Sequence, residues 1–140
     1  MRSFATELRE AMRLRVIYGD TDCMGIVYYA NYLRYFEAAR SEYLRQRGYA
    51  YRTFEEQNGL HLPVVEAHVE YKRPARYDDE LVIFAAIEPL GPASARFRYE
   101  IHRVDDGTLV ARGHTVHACV TAAGKVVRIP DEMRDALGWT

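Results

Sequence analysis

Met12, Leu14, Val16 and Tyr18 alternate with Arg13, Arg15 and Ile17, the period of two that sets one face of a β-strand against a core. A loop over 19–28 follows, and then the period changes. From about Tyr29 to Arg47 the apolar positions Tyr32, Tyr35, Phe36, Ala39 and Tyr43 recur at helical spacing, and Gly48 supplies a C-terminal stop. Leu33, Ala38 and Leu44 widen this apolar face beyond a single stripe, which predicts a helix surrounded by protein over much of its circumference. A short helical turn is expected from Arg52 to Gln57.

The second half of the chain reads as β. Val65, Ala67, Val69 and Tyr71 alternate with Glu66, His68, Glu70 and Lys72, and Pro74 ends that strand. Leu81 to Ile87 is apolar on both faces, as expected of a central strand. Ala95, Phe97, Tyr99 and Ile101 alternate with Arg96, Arg98, Glu100 and His102. Asp105-Asp106-Gly107 is a hairpin signal leading into a long strand from Thr108 to about Thr121. Gly124 turns the chain again before a strand over Val126 to Ile129, and a terminal helical turn follows Pro130. Strands joined in sequence by hairpins form an antiparallel sheet, whose apolar face needs a cover. The only sizeable candidate is the helix that starts near Tyr29. The expected fold is therefore α+β, a sheet of five strands wrapped around one long central helix, with residues 1–140 forming a single domain without repeat or linker.

Composition removes several classes of function. With 19 Lys and Arg against 20 Asp and Glu, the net charge of −1 provides no overall field for a phosphate backbone, so nucleic acid is not an expected partner. Charges interrupt every apolar run in the first ten residues, which argues against a signal peptide, and no stretch approaches the roughly 18 apolar residues of a membrane span. Cys23 and Cys119 form neither a CxxC pair nor a disulfide framework, as suits a reducing, cytoplasmic setting.

The richest segment for chemistry runs from Gly19 to Tyr32. It places two carboxylates, Asp20 and Asp22, in a loop feeding the N-terminus of the long helix, where free backbone N–H groups and the positive end of the helix dipole gather. That pairing suits a reaction in which a carbonyl oxygen gains negative charge beside a carboxylate. The same residues also suit plain loop turning and helix capping. Nucleophile elbows, Walker loops, dinucleotide-binding glycine motifs and zinc motifs are all absent from the sequence. His114 and His117 lie three apart on an expected strand, so they point to opposite faces and cannot share an ion. Cys23 adjoins Asp22 without a histidine nearby in sequence to activate it.

The run from Asp20 to Tyr32 resembles the signature of the 4-hydroxybenzoyl-CoA thioesterase family of hot dog folds, approximately D-x-D-x-x-G-x-V-x-x-x-x-Y. Asp20, Asp22, Gly25, Val27 and Tyr32 all fall in register. The stretch from Tyr71 to Leu81 is similar to Y-x-x-P-A-x-x-D-D-x-L of the YbgC-like branch, and the pattern extends from about Met12 to Pro130. The resemblance implies an acyl-CoA thioesterase with no metal or redox cofactor. In it Asp22 is the catalytic carboxylate, as nucleophile or general base, and Asp20 shapes the loop. The backbone N–H of Tyr29 polarises the thioester carbonyl, at a position where some YbgC-like enzymes carry His. Gly25, Val27, Tyr28 and Tyr32 are expected around the substrate. A thiol leaving group has a pKa near 8.5, so departure needs no strong acid and such a sparse site suffices.

Within the Tyr-rich stretch, Tyr35 and Tyr43 read as helix core, and Tyr28 and Tyr29, beside the loop, as pocket lining. Lys72, Arg73 and Arg76 either neutralise the phosphates of coenzyme A or form a solvated strand end. The segment from Leu62 to Lys72 is expected to be an edge strand that pairs with a second copy. The resemblance implies a homodimer, or a homotetramer formed by doubling it, with active sites walled by two subunits. Two alternatives stay open: a non-catalytic hot dog protein that binds acyl-CoA or acyl carrier protein, and a thioesterase acting on acyl carrier protein.

Overall fold

The computed structural model describes residues 7–139 of the 140-residue chain. The charged N-terminal run read above lies largely outside them. Five strands, β1 (Arg9–Arg15), β3 (Val64–Tyr71), β4 (Glu80–Gly91), β5 (Ser94–Arg103) and β6 (Leu109–Ala118), form one antiparallel sheet in the order β1-β4-β5-β6-β3. Helix α1 (Asn31–Gln46) packs on the inner face of this sheet, and the short helices α2 (Tyr51–Asn58) and α3 (Asp131–Ala136) close its flank and end. The architecture is that of a hot dog fold, with β4, β5 and β6 as the central strands.

The β4–β5–β6 meander follows directly from the sequence pattern. Ala95, Phe97, Tyr99 and Ile101 are all buried and point inward from β5, while the intervening Arg96, Arg98, Glu100 and His102 lie on the outer face. Helix α1 meets that inner face through Phe36, whose ring stacks on Tyr99 with centroids 4.1 Å apart, and through Tyr43, whose ring meets Phe97 edge-on. Such close packing requires one missing side chain. A Cβ on Gly113 of β6 would stand 2.1 Å from the His68 carbonyl oxygen and 3.0 Å from the Phe36 ring, so a glycine lets the helix and β3 close on the sheet at this point.

β3 is an edge strand, as expected; its Ala67, Val69 and Tyr71 face the helix side of the sheet but are only partly covered, with Tyr71 51% exposed. Two expectations need correction. Helix α1 is not enclosed all round. It buries Tyr32, Tyr35, Phe36, Ala39, Tyr43 and Leu44, but Leu33 and Ala38 face outward. Finally, the long strand after the Asp106-Gly107 turn breaks at Cys119. Beyond it β7 (Val120–Thr121) leaves the main sheet to pair with β2 (Leu60–His61), and the expected strand over Val126 to Ile129 is reduced to one bridge, Val120 to Val126. The Cys119 N–H bonds to the Ala93 carbonyl and Ile129 N–H to Pro92, so the backbone there is satisfied by the β4–β5 turn rather than by a ladder.

Candidate active site

β1 delivers the chain to a 3-10 turn over Tyr18–Asp20, and the loop to α1 then folds back on itself. Thr21 bridges Val27, the Asp22 N–H donates to the Ile26 carbonyl at 2.8 Å, and Gly25 closes the turn in the left-handed region at φ 79°. This conformation explains the glycine, since no neighbouring atom crowds its position. Val27 is buried and its N–H donates to the Ala75 carbonyl at 2.8 Å, which pins the loop to the segment after β3.

The two carboxylates have different environments. Asp20 is buried and accepts from the Tyr35 hydroxyl at 2.7 Å and from Arg34 at 3.2 Å. Its carbonyl accepts from the Tyr28 N–H at 2.8 Å and the Asn31 side-chain amide at 2.9 Å, so both ends of Asp20 tie the loop to α1. Burial, with the Asp20 charge added, pushes the Tyr35 phenol far above its usual range, so it remains the donor in this pair. Asp22 is only half-buried. Its Oδ1 accepts the N–H groups of Met24, at 2.9 Å, and Ile26, at 3.5 Å, while Oδ2 has no hydrogen-bond partner among the described residues. One oxygen is held by the backbone and the other is unengaged.

The N-terminus of α1 stands next to this loop. Asn31, Tyr32 and Leu33 donate their N–H groups to the Tyr28, Tyr29 and Ala30 carbonyls, whereas the N–H groups of Tyr29 and Ala30 have no partner among the described residues. They are the free donors that a helix start provides.

A cleft of about 310 Å³, within the size range of small-molecule sites, opens beside Tyr29. Its wall brings together five residues singled out from sequence: Val27, Tyr29, Tyr32, Lys72 and Arg73. Asp22, Gly25, Tyr28 and Arg76 lie outside that wall. Tyr71, Ile26 and Pro74 complete it and were missed as site residues. Tyr71 read as one more apolar position of a strand. Only its place at the end of the edge strand turns it toward α1, where its ring meets Tyr29 at 6.2 Å and Tyr32 at 5.6 Å. Burial raises the Tyr32 phenol to about 12, keeping it a neutral donor.

The basic cluster divides. Lys72 is paired with Glu70 at 3.0 Å, and that contact, together with His68, pulls the Glu70 carboxyl down to about 2. The Arg73 guanidinium donates only to the Lys72 carbonyl, and neither Arg73 nor Arg76 has an ion-pair partner among the described residues. Other candidates are placed away from the site. Cys23 is exposed. His114 lies on the outer face against Glu66, and His117 lies buried on the inner face. Among the described residues, no cluster of His, Cys, Asp and Glu has the make-up of a metal site, and no helix is long and apolar enough to cross a membrane.

A sheet of five antiparallel strands around one helix, with an acidic loop running into that helix's N-terminus, defines the class of hot dog thioesterases. The chain belongs to the thioesterase-like superfamily, whose family pattern matches residues 16–137. It is 34% identical to the acyl-CoA thioesterase YbgC of Haemophilus influenzae over 125 residues, which cover 88% of this chain and 90% of that protein. It is also 34% identical to the 1,4-dihydroxy-2-naphthoyl-CoA hydrolase of Thermosynechococcus vestitus, over 91% of this chain and 87% of that one. Among solved structures, the DHNA-CoA thioesterase of Staphylococcus aureus superposes with a TM-score of 0.84 at 27% identity, covering 91% of this chain and 87% of that one.

Proposed function

We propose that this chain is an acyl-CoA thioesterase, splitting a CoA thioester and water into a carboxylic acid and free CoA. The observation that carries the reading is the division of labour at the loop: one Asp22 oxygen is held by two backbone N–H groups and the other is unengaged, beside free amides at the start of α1. The thioester carbonyl oxygen sits on the Tyr29 N–H, where the helix dipole favours developing negative charge. Asp22 Oδ2 then either attacks the carbonyl carbon, giving a mixed anhydride that water opens, or takes a proton from an attacking water. In both routes the CoA thiolate leaves without a general acid. Asp20 holds the loop. Gly25 sets its turn, Val27, Tyr28 and Tyr32 bound the acyl end, and Arg73 and Arg76, with Lys72, meet the phosphates.

The site is completed by a second copy of the chain. Tyr71, at the end of β3, walls the cleft, and Val65 is exposed further along the same strand, which has one edge unpaired in the sheet. Pairing of β3 with its counterpart gives a homodimer in which each subunit walls the other's cleft. Two free cysteines fit a cytoplasmic enzyme.

The decisive test replaces Asp22 by Asn, nearly equal in size but uncharged, and measures free-thiol release from a panel of acyl-CoAs. A loss of about a hundredfold or more in kcat is expected on any substrate the wild type turns over. Equal kcat for the two proteins refutes the role of Asp22. Tight acyl-CoA binding by a wild type that hydrolyses no thioester favours a binding protein instead.

A further inference from the structure

Beside the catalytic loop, the surface carries a feature that neither the fold nor the hydrolysis uses. Tyr18, in the 3-10 turn, and Tyr77, in the turn leading to β4, stack face to face with ring centroids 3.7 Å apart and planes 7° apart. Neither ring is core: Tyr18 is 72% and Tyr77 45% exposed. Large rings in a soluble protein are usually buried, and ordering two of them in water costs entropy without the return of full burial.

The backbone holds the pair in place. The Val16 N–H donates to the Asp79 carbonyl and the Asp78 N–H to the Val16 carbonyl, each at 2.9 Å, which splices the two turns together. The Asp79 carboxylate accepts the Arg76 N–H at 2.8 Å and fixes the approach to Tyr77. A flat aromatic surface is thus preset before any ligand arrives.

Its neighbours supply the second half of a recognition site. Among the described residues most guanidinium groups face a carboxylate, as Arg15 faces Glu80 and Arg112 faces Glu70. Arg76, adjacent to Tyr77, faces none among the described residues, and its backbone bridges Ile26 of the catalytic loop. Arg73, on the cleft wall, is four residues from Tyr77, a span of at most about 14 Å along the chain. An extended pantetheine and pyrophosphate arm exceeds that reach. Bare π faces next to unneutralised cations match a planar base that carries phosphates.

We propose that the Tyr18–Tyr77 stack is the platform for the purine base of the CoA moiety, with Arg76 meeting the phosphates next to it. This inference rests on the CoA thioesterase reading above and adds the part of the protein that distinguishes CoA from a bare pantetheine arm.

Calorimetric titration of the full chain with free CoA, with pantetheine and with adenosine 3′,5′-bisphosphate tests it. Tyr18→Ala and Tyr77→Ala are each expected to weaken CoA and the bisphosphate about tenfold, as loss of one base stack does, while pantetheine affinity stays at its wild-type value. Tyr77→Trp, which restores a ring, is expected to recover the loss. Equal weakening of CoA and pantetheine overturns the platform, since it reports a disturbed loop. Unchanged affinity for the bisphosphate overturns it too, as does a variant that binds CoA normally but an acyl carrier protein more weakly, which assigns the patch to a protein partner. If the wild type binds neither CoA nor the bisphosphate, the CoA reading itself fails; if it binds both and the Ala variants match it, only the platform fails.

Discussion

His117 is expected to make this fold acid-sensitive in a way that can be calculated. The ring is buried on the inner face of β6, with Nδ1 2.8 Å from the Leu62 carbonyl and Nε2 2.8 Å from the Thr115 hydroxyl. A carbonyl only accepts, so Nδ1 carries the proton and Nε2 of the neutral ring accepts from Thr115. The Thr115 oxygen then accepts from the Tyr99 hydroxyl at 2.7 Å, giving one directed chain from Tyr99 to Leu62. Adding a proton at Nε2 places two donors face to face and charges a buried ring. Burial, with Arg40 nearby, accordingly lowers its pKa from 6.5 to about 4. Above pH 6.5 neither the folded nor the unfolded chain protonates this ring and it contributes no pH dependence. As pH falls from 6.5 to about 4 the unfolded state takes up the proton first, so stability is lost, by about 2 kcal/mol at pH 5 and about 3 kcal/mol at the limit. The assay is urea unfolding of wild type and His117→Asn from pH 7 to pH 4. The variant keeps an amide donor for Leu62 but cannot titrate. It is expected to be about 1–3 kcal/mol less stable at pH 7, through lost packing and the lost Thr115 bond, with the difference shifting by about 3 kcal/mol in the variant's favour toward pH 4, so that it vanishes or reverses. Parallel profiles over that range refute the argument, whatever the absolute stabilities.

Asp20→Asn weakens the charge-assisted bonds to Tyr35 and Arg34 and is expected to cost about 1–3 kcal/mol in urea unfolding, with a smaller loss of kcat than Asp22→Asn. Gly113→Ala forces a Cβ against the His68 carbonyl and is expected to destabilise by about 1–3 kcal/mol, read as a lower urea midpoint; an unchanged midpoint refutes the close approach of β3 and β6. Arg73→Ala and Arg76→Ala are expected to raise KM for a CoA thioester with kcat nearly constant, an effect that shrinks as salt rises, and Lys72→Ala to do so less because Glu70 already engages it. Light scattering at micromolar concentration is expected to show a dimer or tetramer, and a charge placed on the exposed row by Val65→Lys to shift it toward monomer.

The local patterns were legible because they depend on neighbours in sequence. Period-two alternation determined β5, an apolar run on both faces determined β4, and the Asp106-Gly107 turn signal determined the start of β6. Helical spacing determined α1 to within two residues of its observed start at Asn31, and the Asp20–Tyr32 run determined where loop chemistry meets a helix N-terminus. What tertiary structure decided was which apolar face receives a cover. Alternation gives Val65, Ala67, Val69 and Tyr71 as one apolar row, but a strand's burial depends on its rank in the sheet, and β3 at the edge leaves Val65, Ala67 and Tyr71 exposed and only Val69 packed against the core. The same placement turned Tyr71 into a wall of the cleft. It also set Asp20 and Asp22 apart, although they are two residues apart on one loop, because Tyr35 and Arg34 approach Asp20 from a later turn of sequence and leave Asp22 Oδ2 unengaged. The composition of the loop was written in the chain. The difference between a carboxylate tied into the structure and one with an unengaged oxygen arises only when α1 packs against the loop and buries one of the two.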